Sequence, residues 1–188
     1  MANPRTGSSR TVTINRAPVL TLWAAVVAER LGYDREEALT LGQAVAGMNA
    51  AAKARAIGKF EPPAKPAAAK KPAAPKSGER LEIELCNRRV PAVHTPDGVR
   101  ALNKGTPAAP ASVQRYLEGK FGEALEDARE AMTTLARASS KSELEATAFA
   151  LYEAFRPSIP RGTRGWGAKG VLDLARIHAL AAKGRGSS

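Results

Sequence analysis

The chain is poor in the residue types that carry most protein chemistry. Its 188 residues include one cysteine, Cys86, and two histidines, His94 and His178. A lone cysteine excludes an intramolecular disulfide, and two histidines leave no zinc-ligand cluster. Aromatic residues make up 5% of the chain, so its cores are expected to be small, helical and rich in alanine. No run of 18 apolar residues is present, which excludes a transmembrane helix. The N-terminal stretch MANPRTGSSRTVTINRAP lacks the apolar region of a secretory signal, and Pro4, Gly7 and Pro18 spoil it as an amphipathic presequence. The cytoplasm is therefore the expected compartment, with nucleoid or nuclear association if the chain binds nucleic acid. Acidic side chains are also scarce, 18 against 29 Lys and Arg, for a net charge of +11.

One stretch has no core-forming residue at all. Residues 61–78, EPPAKPAAAKKPAAPKSG, are built almost wholly from Ala, Pro and Lys, and their prolines forbid a helix. This reads as an extended cationic tether carrying Lys65, Lys70, Lys71 and Lys76. In composition it is similar to the tails of linker histones and of some bacterial nucleoid proteins. That resemblance implies affinity for polyanions and no shared fold. Fully extended, such a tether spans on the order of 50 Å at about 3.1 Å per residue.

The tether divides the chain into a disordered basic arm (1–16), a helical hairpin domain (17–60), the linker (61–79), a mainly helical domain opened by a β-hairpin (80–183) and a disordered tail (184–188). Positive charge is unevenly shared among them. Residues 1–60 carry +4, the tether +2 and residues 161–188 carry +5, while residues 80–160 are neutral with eleven charges of each sign. A basic excess confined to arms, tether and a Gly-rich end points to phosphate backbones.

Hydrophobic periodicity supplies the elements, and the fold class is mainly α with a small β-hairpin. Val19, Leu22, Trp23, Val26, Val27 and Leu31 recur at helical spacing and stop at Gly32. Asp34 and Glu37 have capping-box spacing at the head of a second helix with Ala38, Leu41, Val45 and Met48 on one face. Leu22, Trp23, Val27, Leu31, Leu41 and Val45 are thus the candidates for hairpin packing or homodimerisation. After the tether, Leu81, Ile83 and Leu85 alternate with glutamates as a strand, CNRR (86–89) reads as a turn, and Pro91 confines the return strand to an edge or bulge. TPDG (95–98) predicts a turn into a short helix over Val99–Leu102. Ser112 is expected to cap a long helix running to Leu135, kinked at Gly119 and Gly122. Ser142 and Glu145 have the spacing to open another, ended by Pro157 and Pro160, and a last helix starts at Val171.

Three constellations are candidates for binding. Residues 24–46 resemble a helix-turn-helix, with Ala28 and Gly32 in the small-residue and turn positions. A reading helix that begins Asp34, Arg35, Glu36, Glu37 would repel DNA, however, so a plain αα-hairpin fits better. RGTRGWGAKG (161–170) interleaves Arg161, Arg164 and Lys169 with glycines and Trp166 ahead of a helix that carries Arg176. Glycines let backbone N–H groups approach an anion, arginines fork phosphate, and the tryptophan either stacks on a base or plugs the core. No Ser or Thr follows the lysine, so this is no Walker A loop. Arg88 and Arg89 are expected at the tip of the β-hairpin, as solvated turn residues or as a basic ribbon for a groove.

Catalytic candidates are few. Cys86 and His94 have the chemistry of a thiolate–imidazole pair but no orienting third group. His178 is expected at the core edge beside Leu174 and Ile177, and Glu123, Glu126, Asp127 and Glu130 form a solvated face. No catalytic residue, metal site, cofactor or small-molecule substrate is expected. The sequence therefore points to a non-enzymatic protein that binds nucleic acid through the phosphate backbone, nucleoid-associated or regulatory in role. The alternative is a two-domain protein–protein adaptor that docks or dimerises through its N-terminal hairpin.

Overall fold

Pro18 to Ala28 is an unbroken run of buried side chains, and that run places the first long helix at the centre of the molecule. The computed structural model describes residues 11–56, 79–103, 105–159 and 169–185. Strand β1 (Thr11–Ile14) leads into α1 (Arg16–Leu31), which is apolar around its whole circumference and so needs cover on every side. It ends at Gly32 in a Schellman arrangement: Tyr33 N donates to Ala28 O and Gly32 N to Glu29 O, each at 3.1 Å, with Gly32 at φ 117°.

Helix α2 (Arg35–Ala56) starts from the expected capping box. Glu37 N donates to Asp34 Oδ1 at 2.8 Å, and Asp34 N donates to Glu37 Oε2 at 3.1 Å. The two helices cross at Gly42, where an added Cβ would lie 2.3 Å from Thr21 O and 2.9 Å from Ala25 N. Only glycine permits that approach.

The next segment forms an antiparallel sheet in the order β2 (Arg80–Leu85), β3 (Arg88–Thr95), β4 (Gly98–Asn103), β5 (Thr106–Pro107). Leu85 pairs with Arg88, so the first turn is the two-residue loop Cys86–Asn87, with φ 49° and 61°. Two successive positive φ values are the signature of the type I′ turn that matches strand twist. Pro91 faces Glu82 on β2, one residue before the β3–β4 ladder begins at Ala92. Residues 99–102, expected to be helical, lie in β4. Thr95 pairs with Gly98, whose φ of 112° lets the chain turn back onto β3.

Beyond the sheet, α3 (Pro110–Phe121), a 3-10 turn (Gly122–Ala124) and α4 (Leu125–Arg137) replace the single long helix. The break is at Gly122, with φ 57°, and α3 opens with Pro110 in its first turn rather than with a Ser112 cap. Helix α5 (Lys141–Phe155) is capped by Ser140 and Glu143, two residues ahead of the expected pair. Strand β6 (Gly170–Asp173) pairs antiparallel with β1 from Thr11↔Asp173 to Ile14↔Gly170, and α6 (Leu174–Arg185) follows it. Thr11–Ile14, expected in a disordered arm, pair with a strand about 160 residues away in the sequence, and Arg16, expected in the same arm, opens α1.

The protein is mainly helical with small antiparallel sheets. Its buried apolar residues form one cluster drawing on α1, α2, the sheet and α3 to α6. The expected hairpin domain is therefore not packed by itself. Trp23 Nε1 donates to Ala148 O on α5 at 2.8 Å, and its ring meets Phe155 edge-on at 5.3 Å. The predicted tether, apart from Glu79, and the tail beyond Arg185 lie outside the described residues, as do residues 1–10 of the arm. No described helix is long and apolar enough to cross a membrane.

Candidate nucleic-acid interface

Val171 of β6 is flanked by strand β1 and by an isolated bridge to Ser158, and this fixes the base of the Arg/Gly loop. On one side it pairs with Thr13 of β1. On the other it exchanges two backbone hydrogen bonds with Ser158, both 3.1 Å. The chain between Ser158 and Val171 is thereby closed at its root. Arg161, Arg164 and Trp166 fall within it, outside the described residues. Gly170 is required at the closure, because a Cβ there would lie 2.8 Å from Ser158 O and 2.9 Å from Pro157 Cβ.

Cations gather around this root. Lys169 is exposed at its end, and Arg176 is exposed on α6. Arg16 donates from Nε to Pro157 O at 3.0 Å, and its own carbonyl accepts from the Tyr152 hydroxyl at 3.4 Å. Burial lowers the Arg16 pKa from its ordinary value, and the neighbouring charge of Arg156 lowers it further. Two guanidinium groups are thus held close enough to repel, beside an exposed lysine. Arg16 and Arg156 were invisible as site residues in the sequence. The alternation Thr-Val-Thr-Ile at 11–14 was the available sign that the arm enters a strand and brings Arg16 with it.

The ribbon that carries the root is anchored from below. Leu172, Leu174 and Ile177 are buried, and Asp173 Oδ1 accepts from Ala175 N at 3.0 Å to start α6. Among the described residues, Val171, 44% exposed, is the large apolar side chain left outside. His178 is exposed, not at the core edge: Leu174, Ile177 and Ala181 take the inward face, and His178 falls off it. Arg16 and Arg156 thus place two positive charges close together at the root, with Lys169 and Arg176 exposed on the chain that leads out of it.

The hairpin arginines do not join this group as solvated tip residues. The tip is Cys86–Asn87, and Arg88 and Arg89 are the first residues of β3. Arg88 is half-buried against α2, donating from Nη2 to Asn49 Oδ1 at 3.2 Å. Arg89 is exposed and pairs loosely with Glu82 at 3.7 Å. Lys65, Lys70, Lys71 and Lys76 lie outside the described residues.

The head of α2 is occupied by the sheet. Glu37 Oε1 accepts from Val99 N at 2.9 Å, Thr40 Oγ1 from Ala101 N at 3.1 Å, and Glu36 Oε2 from Arg100 Nη2 at 2.9 Å. Side chains of the first two turns thus satisfy β4 donors that no strand reaches. The carboxylates that argued against a reading helix serve the fold. Leu22, Trp23, Val27, Leu41 and Val45 are buried and Leu31 is partly buried in the shared core, so the face considered for dimerisation is covered by the chain itself.

Cys86 and His94 are not brought together. Cys86 is at the hairpin tip and His94 near the far end of β3, so at about 3.3 Å per residue they stand roughly 25 Å apart along the ribbon. Cys86 is 2% exposed, and burial pushes its thiol pKa up to about 12, which keeps it protonated at neutral pH. Glu123, Glu126 and Glu130 are exposed on the α3–α4 segment. Among the described residues no group of His, Cys, Asp and Glu has the arrangement to hold a metal ion.

No family model, curated protein or solved structure matches this chain.

Proposed function

We propose that the protein is a non-enzymatic nucleic-acid-binding protein that engages the phosphate backbone with little dependence on base sequence. The observation that carries this reading is the closed root of the Arg161–Lys169 loop, with Arg16, Arg156 and Lys169 at its base. A loop whose ends are tied presents its cations at lower entropic cost than a free arm does. Lys65, Lys70, Lys71 and Lys76 add long-range attraction, and Trp166 has the chemistry to stack on an unpaired base. The adaptor reading has less support, because its docking hairpin is buried in the shared core.

The test is fluorescence anisotropy with a labelled duplex and a labelled single strand across a salt series. Affinity is expected to fall steeply with salt. A triple variant R161Q/R164Q/K169Q is expected to flatten the log–log slope for duplex by about two to three units, near 0.9 per lost phosphate contact. Absence of salt-sensitive binding to either strand form by the unaltered protein overturns the reading.

A further inference from the structure

A second cationic site lies where the end of α1 meets the α4–α5 junction. A cleft of about 480 Å³ there is lined by Val26, Glu29, Arg30, Thr133, Arg137 and Lys141, among others. Its carboxylate is already engaged, since Glu29 Oε1 pairs with Arg129 Nη1 at 3.2 Å. The cleft therefore carries three cations with no carboxylate of its own to spare. Arg30 is poorly satisfied: Nη2 donates to Ser139 O at 3.3 Å, while Nε is buried with no partner. Arg129 beside it leaves Nε and Nη2 buried and unpartnered as well. A guanidinium donor left buried and unpaired on Arg30 is costly, and negative charge entering the cleft would stabilise the cation that lines it.

Helix-end electrostatics account for part of this grouping and fail for the rest. Arg30 and Arg137 lie in the last turns of α1 and α4, where a cation complements the dipole. Lys141 is the first residue of α5, where a cation opposes it. A lysine placed against the local electrostatic preference, facing the same cleft as two arginines, is explained by a ligand carrying negative charge. The corner also receives the end of α6, because a Cβ on Gly184 would lie 3.2 Å from Ala138 Cβ, next in sequence to exposed Lys183.

We propose that this cleft binds a phosphate group of the nucleic-acid backbone, with Arg137 and Lys141 contacting phosphate oxygens and Arg30 forming the floor. The inference rests on the nucleic-acid reading above and adds a second contact surface, separate from the loop root. The test is the double variant R137Q/K141Q, both side chains being exposed, in the same anisotropy assay at fixed low salt and across the salt series. Affinity is expected to drop about tenfold and the duplex slope to flatten by one to two units. The control R115Q/K120Q removes two exposed α3 cations and so matches the loss of net charge. It is expected to leave the slope within half a unit of the parent. K141Q alone is expected to raise the melting temperature slightly while weakening binding, a pairing that a purely structural lysine does not give. Equal effects of the two double variants, or an unchanged slope in R137Q/K141Q, overturn the cleft site while leaving the loop reading standing. If the unaltered protein shows no binding, both fall together.

Discussion

Glu37 does two jobs with its carboxylate and a third with its backbone carbonyl. One oxygen caps its own helix through Asp34 N, the other accepts from Val99 N of β4, and the backbone carbonyl accepts from the Thr40 hydroxyl. Thr40 then repeats the pattern on Ala101 N. A β4 edge left without these acceptors would bury two amide donors unpaired, at about 1–3 kcal/mol each. Arg100 complements the arrangement. It is 6% exposed and donates to Val99 O and Asp97 O, while its bond to exposed Glu36 adds little. Replacing Glu37 by alanine is therefore expected to cost about 2–3 kcal/mol in urea unfolding, and by glutamine about half as much, since one acceptor survives. An E37A protein within 0.5 kcal/mol or so of the parent would show that the strand finds its acceptors elsewhere.

At the scale of elements, the crossing of α1 and α2 is set by small residues. Thr21, Ala25 and Gly42 bring the backbones together, and the Cβ of a G42A variant would sit 2.3 Å from a carbonyl oxygen that cannot swing away. Overpacking of this kind costs about 1–3 kcal/mol, so G42A is expected to lower the thermal midpoint by several degrees. G47A, on the same helix with nothing near its Cβ, is expected to hold or raise it. Features written in a few adjacent residues were legible in the sequence: the Asp34–Glu37 box, the Gly32 stop, the strand Leu81–Leu85. Where two readings shared one local pattern, the choice was made by distant contacts. Ser140 and Ser142 each precede a glutamate at capping spacing, and both keep Leu144 inward. Val99-Arg-Ala-Leu suits a helix or a strand, and the docking of β4 on α2 decides for the strand. The loop was legible as a basic, Gly-rich segment. Its root was not: the alternation at 11–14 marks a strand, but nothing local names β6 as its partner, and that pairing is what brings Arg16 to the Pro157–Ser158 side of the root.

Across the whole molecule, the tether joins two stretches of chain that share a core, and this changes what it does. Contacts that span it include Trp23 with Ala148, Arg16 with Pro157, Glu37 with Val99, and the full β1–β6 ladder. Each is an anchor that does not depend on continuity of residues 61–78. In such a fold, continuity of the linker supplies effective concentration and little else to stability. A protease site inserted between Ala67 and Lys70 and then cut is expected to leave both fragments in one 1:1 particle on size exclusion at micromolar concentration. The unfolding midpoint of the cut protein should then depend on concentration, as that of the intact chain does not, because unfolding now releases two molecules. Fragments that separate in native buffer, each with its own helical signal and melting transition, would mean that the tether divides two self-sufficient domains. Salt dependence adds a second readout from the same sample. If phosphate contacts lie at the loop root and the α1–α4–α5 corner, the nicked particle should keep nearly the parent slope, since neither surface is built from the tether.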